Sequence, residues 1–232
     1  MIKTGICDDK KRNLTLLEGT ISECLKELET AAEIFTYDSG KDLLKDYEQL
    51  DLIFLDIEMP EMDGIETGKI IREKGYAGKI IMASANTERF KEAFTIDTFR
   101  FVSKPFQKEE VMEALKDYIE TRLGTEEIKV HRKRNEFVFY QKEILYVYAV
   151  NSSIELCMRN GIYRMEGSLS ELEGILDPRL FYKISKQYIV NLKEISKYQD
   201  EKVTIQGTEL KVSVRRKKDF EKAYQMFQIK YS

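Results

Sequence analysis

The chain has 232 residues, of which 42% are hydrophobic, 34% charged and 11% aromatic, a globular composition that excludes a disordered or fibrous protein. No apolar run approaches the roughly 18–20 residues needed to span a bilayer, which excludes a helical membrane protein. The formal net charge of -3 conceals a split, because residues 1–125 carry 18 basic against 26 acidic side chains and residues 126–232 carry 20 against 15.

An acidic front and a basic back suit two domains with different partners, and the length allows both. The opening stretch MIKTGICDDKK has no apolar core and turns acidic at once, so no signal peptide is expected and the chain reads as cytoplasmic. Cys7, Cys24 and Cys157 lie far apart and read as small core residues in a reducing compartment.

Short apolar runs alternate with helical patterns through the front half. IKTGIC, AEIFTY, DLIFLD, GKIIMAS and FRFVS read as strands. Between them, helices are expected over KKRNLTLLEGTISECLKELE, SGKDLLKDYEQ with Ser39 as N-cap, GIETGKIIREKG, NTERFKEAFTI and QKEEVMEALKDYIETRL. Five strands alternating with five helices imply βαβ crossovers and a parallel sheet covered on both faces. The most continuous apolar runs, 52–55 and 79–82, belong at its centre.

Chemistry in such a sheet gathers beyond the carboxyl ends of the strands. Asp8 and Asp9 end the first strand and Asp56 ends the third, so three carboxylates should converge. Like charges so close need a counter-ion, and a hard divalent cation with oxygen ligands, Mg²⁺, is the expected one. Ser84 and Lys104 end strands on the same side. A hydroxyl and an ammonium beside a metal-bound carboxylate suit phosphoryl chemistry, with Asp56 as nucleophile. Taken singly, Asp8 reads as a helix cap, Asp56 as a turn residue, Lys104 as a solvated charge and Phe101 as core. Their joint placement at strand ends favours a site.

CDD at 7–9, LDIEMPEMDG at 55–64, AS at 83–84 and SKP at 103–105 resemble the receiver domain of two-component response regulators, over residues 1–122. The resemblance implies a flavodoxin-like doubly wound fold in which Asp56 accepts a phosphoryl group from a sensor histidine kinase. It further implies that Asp8, Asp9, Asp56 and the backbone carbonyl of Glu58 hold Mg²⁺. Lys104 and Ser84 would contact the phosphoryl group, Phe101 would be the aromatic switch, and Lys104–Pro105 a cis peptide. Lys10 departs from the family, where an acidic residue often follows the Asp pair.

RLGTEE, residues 122–127, is a polar break, and 123–127 is taken as the linker to a second domain over 128–232. Beyond it the periodicity changes. IKVHRKRNEFVFYQ, ILYVYAV, SIELCMR, GIYRMEG, EISKYQD, KVTIQG and ELKVSV are short β-rich segments between Asn, Gly and Asp turns. Only SLSELEGIL and RRKKDFEKAYQMFQ look helical. The chain has one histidine, His131, read as an exposed strand or linker residue, and no zinc cluster, Walker A or hydrolase motif, so the back half does not read as an enzyme. Basic clusters HRKR, YKISKQY and RRKK occupy loop-like places.

EILYVYAVNSSIELCMRNGIYRMEGSLSELEGIL, DPRLFYKISKQYIVNLKEI and LKVSVRRKKDFEKAY are similar, in that order, to a LytTR-type DNA-binding domain. The resemblance implies a mainly-β fold whose loops, rather than a recognition helix, enter the major grooves of double-stranded DNA. Carried over by position, the reading loops are Asn151–Ser153, Lys183–Gln187 and Ser213–Lys217. Ser152, Lys186 and Arg215 are the expected base contacts, and Lys183, Gln187, Arg216 and Lys217 the phosphate contacts. Tyr188, Ile189, Val190, Leu192, Leu169, Leu172, Leu176 and Phe181 are assigned to the core.

The whole reads as a transcriptional regulator. Phosphorylation of Asp56 would draw Ser84 and Phe101 inward. It would favour a homodimer through the face of helix 87–97, strand 99–102 and helix 107–121, and so place two basic domains on promoter repeats. A receiver-switched module binding a protein partner or an anionic membrane is the alternative, and a phosphate-ester hydrolase the third reading.

Overall fold

The computed structural model describes residues 1–85, 89–132, 135–151 and 153–231, apart from the side chain of Phe90. The predicted start of the fourth helix, the Lys133–Arg134 half of the HRKR cluster, and Ser152 therefore lie outside the described residues. By internal packing the chain divides into two compact units, Met1–Tyr118 and Ile119–Ser232. Among the described residues no helix is long and apolar enough to cross a membrane.

The first unit is built on β1 (Ile2–Cys7), β2 (Ala32–Tyr37), β3 (Leu52–Asp56), β4 (Lys79–Ser84) and β5 (Arg100–Ser103). All neighbours run parallel in the order β2-β1-β3-β4-β5. The LIFL of β3 is buried on both faces because β3 is the central strand, and β4 beside it is almost as apolar. Each fully buried Leu, Ile or Phe there contributes about 1.5–3 kcal/mol. Helices α1 (Lys11–Glu27), α2 (Gly40–Asp46), α3 (Gly64–Glu73), α4 (Phe90–Ala93) and α5 (Lys108–Thr121) connect or follow the strands. On α1, Leu14, Leu17, Ile21, Cys24 and Leu25 form one buried stripe at helical spacing. The hydroxyl of Ser39 caps α2, as expected, by accepting the Asp42 amide.

Among the described residues, the fourth predicted helix is α-helical over Phe90–Ala93, continues as a 3-10 turn over Phe94–Ile96, and stops, where the pattern ends, at Asp97 in a left-handed conformation with φ 51°. Arg72 on α3 explains the stop. Its guanidinium donates to the carbonyls of Ile96 and Asp97, both at 3.0 Å, while Ile96 is buried against Gly68.

The second unit is mainly β. Strands β6 (Glu127–Arg132), β7 (Asn135–Tyr140), β8 (Ile144–Val150), β9 (Ser153–Met158), β10 (Gly161–Glu166), β11 (Phe181–Lys183) and β12 (Tyr188–Asn191) form a seven-stranded sheet in the order β11-β12-β8-β9-β10-β6-β7. A three-stranded sheet follows, with β13 (Lys197–Gln199), β14 (Lys202–Ile205) and β15 (Thr208–Lys211). Helix α6 (Leu169–Glu173) and helix α7 (Lys217–Tyr231) complete the unit. One hydrophobic core takes in Leu169, Leu172, Leu176, Phe181, Ile189, Val190 and Leu192, with Tyr188 packed at its margin.

Asp177 ties the entrance of this unit together. Its carboxylate accepts the Gly124 amide at 3.1 Å and Arg179 through the amide, Nε and Nη2 at 2.7–3.0 Å. Gly124 sits at φ 58°, and a Cβ there would meet Lys142 N at 2.7 Å, so the turn requires glycine. Burial pushes the Asp177 carboxyl up, but Arg179 and the two amides outweigh it and hold it below the usual range. The stabilisation is therefore present above the ordinary Asp value of about 3.9 and is lost as pH falls through the lower folded value. Asp177→Asn should cost about 1–3 kcal/mol at neutral pH in urea denaturation, with the gap to wild type narrowing below about pH 4.

Candidate functional site

The strand order reverses between β1 and β3, and in open α/β sheets ligands bind beyond the carboxyl ends at that point. Asp8 and Asp9 follow β1, and Asp56 is the last residue of β3. One carboxylate oxygen from each lies within 4.8 Å of the others, with Asp8 and Asp56 buried and Asp9 half-buried. Lys104, just past β5, donates to Asp8 Oδ2 at 2.6 Å and sits 2.7 Å from Asp56 Oδ2. The second contact is an ion pair outside hydrogen-bonding geometry, so Asp56 Oδ2 has no hydrogen-bond partner; neither does the buried Asp9 Oδ1.

Asp8 is held more completely. Its oxygens accept the Lys10 amide at 2.9 Å and the Asn13 side-chain amide at 3.0 Å. Asp56 has only the Glu58 amide, at 3.3 Å, for its Oδ1. Burial raises the Asp56 carboxyl above the ordinary range, and although Lys104 opposes this, Asp8 adds to it. Three clustered carboxylates with one ammonium among them favour a further cation, and oxygen-only ligands, two of whose buried oxygens accept no hydrogen bond, fit a hard divalent ion.

Ser84 is buried at the end of β4, in register with Ser103, and Ala83 is in register with Asp56. Phe101 is half-buried on β5 and meets the exposed Phe94 edge to face at 5.3 Å. The Lys104–Pro105 peptide is cis. The side chain of Glu58 is exposed.

The loop after β3 is pinned from two sides. A Cβ on Gly64 would stand 2.0 Å from the Asp56 carbonyl oxygen, so only glycine lets α3 begin this close to the strand end. Asp63 caps α3 by accepting the Glu66 amide at 2.8 Å and pairs with Arg89 at 2.7 Å. Arg89 thereby joins this loop to the one after β4.

In the second unit, hydrogen bonds join the second and third predicted loops to each other and the second to β8. Ala149 N donates to Gln187 O at 3.0 Å, Ser213 N to Ile184 O at 2.9 Å, and Arg216 Nη1 to Lys183 O at 3.0 Å. Asn151, at φ 52° in the β8–β9 turn, Lys186, Gln187 and Arg215 are exposed. The remaining residues differ from expectation. Ser153 is a buried strand residue, and its hydroxyl accepts from Arg164 Nε and donates to Val150 O. Lys183 is only 10% exposed and is held by Glu173 at 2.8 Å and Ser170 at 3.0 Å. Lys217 pairs with Glu201 at 3.1 Å, and Arg216 lies 3.8 Å from Glu173.

Comparison with known proteins matches a domain family to each half of the chain. The family description "Response regulator receiver domain" matches residues 5–116, and "LytTr DNA-binding domain" matches 133–225. The chain is a response regulator. It belongs to the type that joins a receiver to a LytTR DNA-binding domain. The transcriptional regulatory protein NatR of Bacillus subtilis is 23% identical over 224 residues, which cover 92% of this chain and 94% of NatR. The sensory transduction protein LytT of Bacillus cereus is 25% identical over 217 residues, 86% of this chain and 87% of LytT. The chemotaxis protein CheY of Listeria monocytogenes is 33% identical over 122 residues, 50% of this chain and 96% of CheY.

Three residues that support the regulator's acidic pocket escape a reading by strand ends. Asn13 lies in the first turn of α1, Gly64 opens α3, and Arg89 reaches Asp63 from another loop. Gly64 had a visible signal, because a glycine opening a helix eight residues after a strand-end Asp marks a close backbone approach. Gly64→Ala should cost about 1–3 kcal/mol in urea denaturation. Gly19→Ala, where a Cβ meets nothing within 4 Å on exposed α1, should instead gain about 0.5–1 kcal/mol.

Proposed function

We propose that this response regulator is phosphorylated on Asp56 by a sensor histidine kinase in the cytoplasm, and that phosphorylation raises its affinity for repeated promoter sites by favouring a homodimer. The observation that carries the reading is the convergence of Asp8, Asp9, Asp56 and Lys104 at the carboxyl ends of β1, β3 and β5. An Asp56 oxygen attacks the phosphorus of a phosphohistidine. The P–O bond forms as the P–N bond breaks, and the imidazole leaves with the bonding pair and takes up a proton. Asp8, Asp9 and Asp56, with the Glu58 carbonyl, are the residues that would hold Mg²⁺, which when bound supplies charge neutralisation to the phosphoryl oxygens.

Lys104, already paired with Asp56, offers its ammonium to the transferred group, and Ser84 offers its hydroxyl. Drawing Phe101 inward would change its contact with the exposed Phe94, and with it the surface that β5 shares with neighbouring helices. Residues 123–127 join a receiver of 1–122 to a DNA-binding domain of 128–232. There Asn151, Lys186, Gln187 and Arg215 are the exposed contacts, with Ser152 between them in sequence. Lys183, Arg216 and Lys217 would have to exchange acidic partners for phosphates.

The test is DNA affinity of the full chain with and without a small phosphodonor and Mg²⁺. Phosphorylation should tighten binding to a selected repeat about tenfold, in line with couplings of about 1–3 kcal/mol, and Asp56→Asn should abolish the change. Equal affinity in both states would contradict the reading.

A further inference from the structure

The strongest cationic feature outside the reading loops lies on β6 and β10. A groove of about 1090 Å³ is lined by Lys129, His131, Ser153, Arg164, Glu166 and Gly167. A second cavity, about 500 Å³, shares Ser153 and Gly167 with it and is lined further along by Asn151, Lys183 and Lys186. The groove is therefore continuous with two of the three loops.

Arg164 is built into this groove. Its Nε donates to Ser153 Oγ at 2.9 Å, and that buried hydroxyl spends its own proton on Val150 O at 3.1 Å. A guanidinium fixed through Nε keeps its two Nη groups for a planar, two-oxygen acceptor. Arg164 lies across from His131 on β6 and from Glu155 on β9. Glu155 accepts the Tyr148 hydroxyl on Oε2 at 2.5 Å, a bond that pushes the phenol up to about 12. Lys129 makes only a long, exposed contact of 3.8 Å with Glu136. Glu166 is the one carboxylate lining the groove among the described residues.

We propose that Arg164, with Lys129 and His131, forms a second contact patch for the DNA sugar-phosphate backbone, on the strand face beside the Asn151–Ser153 turn. The proposal rests on the DNA-binding reading of this domain. Arg164 carries the patch through a pair of hydrogen bonds to one phosphate, Ser153 positions it, and Lys129 adds charge. None of the three reads a base, so the patch adds affinity without adding sequence preference.

Full-length protein is used to select DNA from a random pool, and the enriched fragment is then titrated by anisotropy at several salt concentrations. Arg164→Gln should weaken binding roughly tenfold on matched and mismatched fragments alike. It should also lower the slope of log affinity against log salt by about 1. Lys129→Gln, at a side chain 72% exposed, should lower the slope in the same way and keeps the test readable if Arg164→Gln folds poorly. Wild-type affinity and slope in both variants, while Lys186→Ala or Arg215→Ala weakens binding, would overturn the patch and leave the loop reading intact. A wild-type protein that enriches no motif would overturn both.

Discussion

The receiver unit is organised around one electrostatic constraint: carboxylates from β1 and β3 are buried together, and something positive must sit with them. Lys104 provides that charge from the end of β5, bridging Asp8 and Asp56 at 2.6 and 2.7 Å. Asp9 Oδ1 and Asp56 Oδ2 still lack hydrogen bonds. Buried polar atoms are rarely left so, and two of them side by side on clustered carboxylates fit a place for a cation. The parallel sheet imposes this crowding, because every strand delivers its last residue to the same edge. Gly64 then allows the following helix to start against the Asp56 carbonyl instead of screening it from the pocket.

The basic domain answers the opposite problem. Its cations are spread over loops and strands, and several are already paired within the unit, such as Lys183 with Glu173 and Lys217 with Glu201. The half-exposed Lys217–Glu201 pair contributes little to stability, so exchanging its carboxylate for a phosphate costs little, whereas Lys183 is largely buried beside Glu173. Arg164 is different, since its position is set by a buried serine hydroxyl. The main-chain bond from Ser213 to Ile184 holds the second and third loops together, and the one from Ala149 to Gln187 ties the second loop to β8.

Much of this was legible in the sequence, for physical reasons. Continuous apolar runs identified the central strands, and the carboxylates that interrupt them stood out because charge at a buried strand end is costly. The short strands Phe181–Lys183 and Tyr188–Asn191 were not legible as strands, being three and four residues long with no clear alternation. The 3-10 turn that closes the fourth helix was hidden because the guanidinium that holds its end belongs to Arg72, some twenty-four residues away in sequence. Partners of the loop cations were hidden in the same way: Glu173 and Glu201 are ordinary surface acids until the fold brings them to Lys183 and Lys217. Residue type showed where charge could act, but only the fold showed which charges were already occupied.

The most direct measurement is thermal unfolding of the full chain during a Mg²⁺ titration, compared with Asp9→Asn. An ion bound only by the folded carboxylate cluster stabilises the receiver by about 1.4 kcal/mol for each tenfold rise in concentration above its dissociation constant. The account predicts that rise in the wild type and its loss in the variant. An identical response in both proteins, or none in either, would contradict it.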